Sequence, residues 1–217
     1  PDYEAPATET REVFGFSFVQ ERNHKLFTRD MFGGLPEGAV ESLIVASVAL
    51  KYAQSNSVAV AHDGQVIGLG AGQQSRIHCT RLACEKAEKW MLQAHPRVLA
   101  LPFKPRTPKV EKANIVDQYL LFDALSERER ADLYGRLEAA PDPISVQEKR
   151  VWLASFDGLA LSSDAYIPFR DNIDRAEHSN IRFIAHPGGS VRDEEVRLAA
   201  DEYGIQIAET GVRCFLH

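Results

Sequence analysis

A glycine-rich run that ends in an arginine is the first segment whose residue types point to ligand chemistry. It covers residues 68–76 (GLGAGQQSR). Glycines let a backbone turn and approach a ligand closely, and unpaired amides at the start of a helix favour an anion. Arg76 would oppose the helix dipole in a first turn, and a bound anion would explain its presence. The simpler interpretation is a glycine turn followed by a solvated arginine, because such turns are common.

Two further loops carry groups that suit a ligand. Residues 187–190 (PGGS) have the same strand–turn–helix layout, with Ser190 as the expected helix N-cap. Residues 162–172 (SSDAYIPFRDN) combine aromatic, carboxylate and amide groups, which suit a flat heterocycle. The alternative is a loop that buries Phe169 in the core and begins a helix at Asp171 or Asn172. Two glycine loops in one chain favour a ligand crevice at strand ends.

The C-terminal residues and the cysteines complete the candidate groups. A strand over residues 213–216 would place Arg213, Phe215 and His217 on one face. A metal site is not predicted, because Cys79 and Cys84 are five positions apart on one predicted helix and face differently. The chain also lacks a Cys-x-x-Cys pair, the zinc deaminase signature and a nucleophile-elbow motif.

Composition limits the function classes. The chain has 217 residues, 44% of them hydrophobic, with a net charge of -6, which argues against a general nucleic-acid binder. No apolar run approaches the ~20 residues needed to span a bilayer. No secretory signal precedes the odd number of cysteines, so we expect reduced thiols and a cytoplasmic protein.

The elements that would position these groups alternate along the chain. Residues 1–10 are expected to be a flexible lead-in, and residues 96–108, with four prolines, an extended connection. Helices are predicted from Pro36, from Ser75 to about His95, from Ser126 and up to Gly204. Strands are predicted at residues 56–62, 65–69, 182–185, 205–207 and 213–216, the first two joined by a turn at Asp63-Gly64. This alternation favours an α/β layer architecture.

Taken together, these segments resemble the second half of the aminoimidazole carboxamide ribonucleotide (AICAR) transformylase domain of bifunctional purine biosynthesis enzymes. The matching runs follow the family's order from about residue 11 to residue 217 and are residues 51–57 (KYAQSNS), 64–68 (GQVIG), 70–81 (GAGQQSRIHCTR), 117–119 (DQY), 162–165 (SSDA), 168–172 (PFRDN) and 213–217 (RCFLH). The proline-rich connection and residues 95–98 (HPRV) resemble the longer form of the domain.

The resemblance implies a cytidine-deaminase-like, layered α/β/α domain without the deaminase zinc. The family transfers a formyl group from formyl-tetrahydrofolate, its co-substrate, to the exocyclic amine of AICAR during IMP biosynthesis. That amine is a weak nucleophile because its lone pair is delocalised. Transfer therefore needs held geometry, proton removal from the amine and stabilisation of the developing oxyanion.

The family's nucleotide contacts correspond to four residues of this sequence, namely Asn56, Arg76, Tyr166 and Arg213. The resemblance implies that Asn56 lies near the transferring formyl oxygen and that the two arginines bind AICAR, with at least one at its phosphate or carboxamide. Tyr166 stands where the family usually has Phe and would line the nucleotide pocket.

The family's folate contacts correspond to four other residues, namely Ile77, Asp171, Ser190 and Val191. The resemblance implies that Asp171 hydrogen-bonds the pterin. The other three residues would border the folate.

One part of the family pattern is missing from the sequence. The family's catalytic Lys-His pair lies upstream in a Phe-Lys-His-type segment, and His24-Lys25 has the reverse order outside the matching context. The expected protein is therefore a half-domain that needs the upstream segment, acting as a homodimer or with a chain that carries the other half. The alternatives are a non-catalytic AICAR or folate binding or regulatory module, and a structural partner.

Overall fold

A computed structural model describes residues 4–215. Within these residues the strands are β1 (Thr8–Val13), β2 (Phe16–Glu21), β3 (Val58–His62), β4 (Gln65–Gly70), β5 (Ala160–Ser163), β6 (Phe183–His186) and β7 (Gln206–Glu209). The helices are α1 (Glu37–Lys51), α2 (Arg76–Leu92), α3 (Pro96–Leu99), α4 (Lys109–Leu120), α5 (Glu127–Gly135), α6 (Val146–Leu153), α7 (Asp171–His178) and α8 (Asp193–Glu202). Short 3₁₀ turns occur at Arg29–Phe32 and Phe122–Ala124.

Five strands form one mixed sheet in the order β4-β3-β5-β6-β7. Strand β3 pairs antiparallel with both β4 and β5, so that Val58 faces Gly70 on one side and Ser163 on the other. Strands β5, β6 and β7 run parallel to one another. The start of β3 therefore lies at the same edge of the sheet as the carboxyl ends of the other four strands.

The two faces of the sheet carry side chains of different size. Large aliphatic side chains pack against α2, α7 and α8; they are Val58, Val60, Leu161 and Ile184. Small side chains on the opposite face lie against α1; they are Ala59, Ala61, Ala160, Ala185 and Ala208. Alternation along each strand produces this division, since successive side chains point to opposite faces. The result confirms the predicted layered α/β/α domain.

Two glycines allow helix α2 to approach strand β4 closely. A Cβ atom at Gly68 would lie 2.0 Å from the Ala83 carbonyl oxygen, and one at Gly70 would lie 2.3 Å from the Cys79 carbonyl oxygen. The interpretation that these glycines approach a ligand is therefore wrong, because their open side faces the helix backbone. Helix α2 runs back along β4, so its first turn lies at the sheet edge where β4 ends.

A helical insert lies between α2 and β5. Helices α3 to α6 enclose a second core of nine buried residues, among them Ile115, Tyr119 and Leu133. The Trp152 indole N–H donates to the Met91 carbonyl oxygen at 2.9 Å and attaches the insert to the far end of α2. The expectation of an extended connection is wrong at Pro96–Leu99, which forms one helical turn with Pro96 in its first positions.

An exposed hairpin precedes the main body of the structure. Strands β1 and β2 pair with each other, and the turn between them places Phe14 and Gly15 at positive φ. Aromatic side chains of the hairpin are largely exposed, with Phe14 96% and Phe16 71% accessible. Strand β1 begins at Thr8, inside the stretch for which a flexible lead-in is expected.

Most of the local predictions are confirmed. The hairpin turn at Asp63-Gly64 joins β3 to β4, and Ser126 forms a capping box with Glu129 at the start of α5. The predicted C-terminal strand is wrong over residues 213–215, which form no strand, while Leu216 and His217 lie outside the described residues.

Candidate functional site

One edge of the sheet collects every residue that the family resemblance assigns to ligand binding. Each lies in a connection that begins or ends at this edge: Asn56 before β3, Arg76 and Ile77 after β4, Tyr166 and Asp171 after β5, Ser190 and Val191 after β6, and Arg213 after β7. The sheet topology alone brings these connections together, because four strands end at this edge and β3 begins there. Ligands of α/β sheets bind at such edges.

A buried ion pair lies at the centre of this edge. One terminal guanidinium nitrogen of Arg76 donates to Asp164 Oδ1 and, at 2.8 Å, to the Ser57 carbonyl oxygen. The second carboxylate oxygen of Asp164 accepts the Ser57 backbone N–H and hydroxyl, each at 3.0 Å. Arg76 is 6% and Asp164 1% exposed. Buried charges require such pairing because burial removes their hydration.

The same ion pair orients the side-chain amide of Asn56. The other terminal nitrogen of Arg76 donates to Asn56 Oδ1 at 3.1 Å, and Asn56 Nδ2 donates to the Gln73 carbonyl oxygen at 3.1 Å. The Cys79 thiol donates to the Asn56 carbonyl oxygen at 3.0 Å. Asn56 is thus held from the loop after β4, from α2 and, through Arg76, by the carboxylate of Asp164.

Two buried polar atoms beside this cluster have no hydrogen-bond partner among the described residues. They are Arg76 Nε and Ser75 Oγ, at the start of α2. Ser75 occupies the predicted N-cap position, but its hydroxyl makes no capping hydrogen bond. An unmet buried donor costs about 1–3 kcal/mol, so a polar group that reached this end of α2 would be stabilised.

The C-terminal segment completes this side of the edge. The Cys214 N–H donates to the Asp164 carbonyl oxygen at 2.8 Å, so the segment that carries Arg213 is hydrogen-bonded to a residue of the ion pair. The Arg213 guanidinium lies 4.1 Å from the centre of the Phe215 ring. Tyr166, two residues after Asp164, is 43% exposed. Because the resemblance implies nucleotide contacts for four of them, we call Asn56, Arg76, Asp164, Tyr166 and Arg213 the nucleotide side of the edge.

The other four residues, for which the resemblance implies folate contacts, lie in more exposed segments, and we call Ile77, Asp171, Ser190 and Val191 the folate side. Asp171 begins α7, as one of the alternatives predicted, and its Oδ1 accepts from Asn172 Nδ2 at 2.9 Å. The alternative in which Phe169 is buried is wrong, because its ring is 49% exposed and stacks 4.9 Å from the Arg192 guanidinium. This stacking joins the loop after β5 to the loop after β6.

The loop after β6 is held by acceptors from both of its ends. Asp193 Oδ2 accepts the N–H groups of Gly189 at 2.7 Å and Ser190 at 3.1 Å. His186 Nδ1 accepts the N–H of Gly188 at 3.3 Å. The prediction of Ser190 as N-cap of the following helix is wrong, since Arg192 occupies that position.

The three buried cysteine thiols are not activated as nucleophiles. Burial raises the pKa of Cys79, and it raises those of Cys84 and Cys214 to about 11. All three therefore remain protonated near neutral pH, and the nucleophilic thiolate is not formed. Their positions serve packing and, for Cys79, the hydrogen bond to Asn56.

Three residues of the site lay outside the sequence assignments. Asp164 was part of the candidate loop after β5, but its partner lies 88 positions away, which no local pattern reveals. His186 and Asp193 flank the glycine pair at 188–189, and this position beside the glycines is the sequence feature that could have identified them. Their roles depend on side-chain acceptors for loop amides, which the sequence does not specify.

Neither a metal cluster nor a membrane-spanning helix occurs in the described part of the chain. Residues 4–215 contain no group of three or more His, Cys, Asp and Glu side chains arranged to hold a metal ion. No helix among them is long and apolar enough to cross a bilayer.

Comparison with protein families gives one match. The family model described as "AICARFT/IMPCHase bienzyme" matches residues 1–86. This segment contains the exposed hairpin, α1, β3, β4 and most of α2. It therefore includes Asn56, Arg76 and Ile77 of the candidate site, while the remaining implied residues lie beyond it.

Proposed function

From the match over residues 1–86, which supports membership of the AICAR transformylase/IMP cyclohydrolase family, we propose that the chain forms half of a formyl-transfer site. That family belongs to purine biosynthesis. The reaction proposed is transfer of the formyl group of formyl-tetrahydrofolate to AICAR on the way to IMP, in the cytoplasm. The observation that carries this proposal is the convergence of all eight implied residues on one sheet edge.

The nucleotide side suits a flat, anionic substrate. Arg76 is fixed by Asp164 and holds Asn56, so under this proposal the amide of Asn56 would need no further reorganisation to act beside the reacting groups. Such preorganisation favours stabilisation of a developing oxyanion, because no dipole has to turn during the reaction. Arg213 supplies a second positive group for phosphate or carboxamide, and Tyr166 an exposed ring for the heterocycle.

The folate side suits a larger co-substrate. Ile77 and Val191 offer apolar surface, and Asp171 offers a carboxylate to the pterin N–H groups. Val191 is fully exposed, which leaves room for a ligand to cover it. Ser190 belongs to the glycine loop that borders the same face. The two ligands would then meet at the first turn of α2, between Arg76 and Ile77.

Removal of the amine proton needs a group that the nucleotide side does not supply. The Lys-His segment of the family is absent from the sequence, and the thiol groups at the edge remain protonated. We infer that the acid–base pair comes from the upstream half of the domain, whether that half belongs to the same polypeptide or to a partner. The exposed aromatic face of the β1–β2 hairpin supports an association of this kind.

The test is formyl transfer by the purified chain, supplied with AICAR and formyl-tetrahydrofolate, together with calorimetric titration of each ligand. We expect binding of both ligands and turnover only after the upstream half is added. Turnover of about 1 per second or faster by the chain alone would show that a residue here replaces the Lys-His pair. Failure to bind either ligand would contradict the proposal.

A non-catalytic AICAR or folate binding module, with a regulatory role, is the second candidate. This role needs only the ligand contacts of the two sides and no acid–base pair. This candidate predicts retained affinity for both ligands and no turnover even with the upstream half present. A purely structural partner would bind neither ligand.

A further inference from the structure

A buried histidine lies at the site edge with one ring nitrogen unaccounted for. His186 ends β6, pairs in register with Glu209 of β7 and is 1% exposed. Its Nδ1 accepts the Gly188 N–H at 3.3 Å, while its Nε2 is buried without a hydrogen-bond partner among residues 4–215. A ring nitrogen that accepts carries no proton, so the neutral ring holds its proton on Nε2.

The loop that His186 contacts contains two glycines, and side-chain acceptors hold its amides. Gly188 and Gly189 have φ values of +72° and +92°, which glycine adopts freely. The amides at 188, 189 and 190 are held by side-chain acceptors, His186 before the loop and Asp193 after it. Removing the upstream acceptor would leave the first of these amides unheld.

We propose that His186, as a neutral imidazole, is a positioning residue that shapes the loop at 187–191 for the folate co-substrate. The inference rests on the proposed function, since it assigns the folate contacts at Ser190 and Val191 to this loop. Protonation would place a hydrogen on Nδ1, so that a donor would face the Gly188 N–H and the hydrogen bond would be lost. Folate binding should therefore weaken at acid pH.

Burial and the charged groups around the His186 ring determine the pH at which the ring is protonated. Burial lowers the pKa of His186, while Asp193 of α8 and Glu209 of β7 favour the charged form and Arg197 of α8 opposes it. Arg197 is itself paired with Glu209. Because burial is the largest of these effects, the ring stays neutral at pH 7 and is protonated only below its usual range.

The helical insert contains a matched histidine. His95 Nδ1 accepts the Arg97 N–H at 3.2 Å, and burial lowers the pKa of His95 as well. Its ring packs edge-on against Trp152, 5.0 Å between centroids, at the opposite end of α2 from the site. A His95 variant therefore controls for losing a buried histidine with the same local hydrogen bond.

The experiment compares the parent chain with His186→Asn, His186→Leu and His95→Asn. The Asn oxygen takes the place of Nδ1 and still accepts from Gly188, but it does not titrate, whereas Leu removes the acceptor. The dissociation constant is measured for formyl-tetrahydrofolate at pH 7.5 and, between pH 5 and 8, for a folate without the formyl group, because formyl-tetrahydrofolate loses water and cyclises in acid. We expect the parent to weaken about fivefold to tenfold towards pH 5, the scale of one lost hydrogen bond, and His186→Leu to be that weak throughout.

His186→Asn should keep the parent's affinity at pH 7.5 and lose most of the pH dependence, while His95→Asn should follow the parent profile. AICAR affinity at pH 7.5 should not change in any variant. Should His186→Leu fail to fold, the profile of His186→Asn decides alone. A parent-like pH profile in His186→Asn would overturn the role of His186 and leave the proposed function intact. A parent chain that does not bind formyl-tetrahydrofolate at pH 7.5 would overturn both.

Discussion

The two sides of the candidate edge are built differently although they share one sheet. On the nucleotide side, Arg76 and Asp164 are almost wholly buried and hold Asn56 and Ser57 through direct hydrogen bonds. On the folate side, the segment that carries Val191 is exposed and glycine-rich, and acceptors at its two ends hold its amides. A buried ion pair thus fixes the nucleotide side, whereas hydrogen bonds from its own backbone amides fix the surface loop of the folate side.

This difference has a physical consequence for binding. A preformed polar site loses little conformational entropy when a ligand binds. An exposed loop loses more, because binding must order it, and this loss lowers the affinity. Loops with few buried apolar contacts also open at low free energy. We therefore expect substitutions on the nucleotide side to affect folding and AICAR together. Substitutions in the folate loop should affect folate binding with a small change in stability.

The largest expected effect comes from removing the buried carboxylate. Asp164→Ala leaves the Arg76 charge buried and unpaired, and we expect a loss of about 3–5 kcal/mol in the free energy of unfolding. Urea denaturation measures it. The control is Asp132→Ala, which removes the surface partner of Arg136 at 2.6 Å and should cost less than about 0.5 kcal/mol. Equal losses in the two variants would show that the buried pair does not anchor the nucleotide side.

The next effect separates the two ligands. Arg213→Ala should weaken AICAR binding by roughly 1.5–3 kcal/mol, the scale of a charge-assisted hydrogen bond, and leave folate affinity nearly unchanged. Asp171→Ala should do the reverse. Calorimetric titration of both ligands checks this, with Arg128→Ala in the helical insert as the control for losing an exposed arginine. A variant that weakened both ligands equally would contradict the division of the edge.

Local features of the fold could be predicted from the sequence, because the residues that decide them are neighbours. Asp63-Gly64 predicts the turn between β3 and β4, and Ser126 with Glu129 predicts the start of α5. The positions of the glycine loops and the family motifs also located the candidate edge. The family motifs predicted which segments carry the implied contacts, and the sheet order explains how those segments meet.

Features that depend on distant partners could not be predicted in this way. Strand β5 has only four residues, Ala160–Ser163, and its end was interpreted as part of a loop. The Arg76–Asp164 pair and the contact of Gly68 with the Ala83 carbonyl oxygen both arise from tertiary packing. Ser190 was a good N-cap by residue type, but Asp193 instead holds the amides before α8.

A third prediction tests whether the close packing of α2 against β4 determines AICAR binding on the nucleotide side. Gly68→Ala would place a Cβ against the α2 backbone, so the helix must shift, at a cost of about 1–3 kcal/mol in stability. AICAR affinity should fall with it, because Arg76 begins that helix. Gly38→Ala is the matched control: its Cβ would meet nothing within 4 Å in α1, and alanine should stabilise the helix by about 0.5–1 kcal/mol. Unchanged stability in Gly68→Ala would contradict the close approach.

The smallest effect is expected in the folate loop itself. Asp193→Ala removes the acceptor for the Gly189 and Ser190 amides, which should cost about 1 kcal/mol, as for a lost helix cap. Asp193→Asn keeps an acceptor oxygen and should recover most of that loss. Glu195→Ala, which removes only the exposed partner of Arg192, controls for charge at the start of α8.

Titration with formyl-tetrahydrofolate and AICAR completes the comparison for these three variants. Folate affinity should weaken in Asp193→Ala more than in Glu195→Ala, and AICAR affinity should stay at the parent value in both. The reason is that the Asp193 carboxylate accepts hydrogen bonds from the loop after β6, whereas Arg76 and Asn56 are held through Asp164. If AICAR affinity fell as far as folate affinity in Asp193→Ala, the loop would be coupled to the buried ion pair, and the two sides would act as one unit.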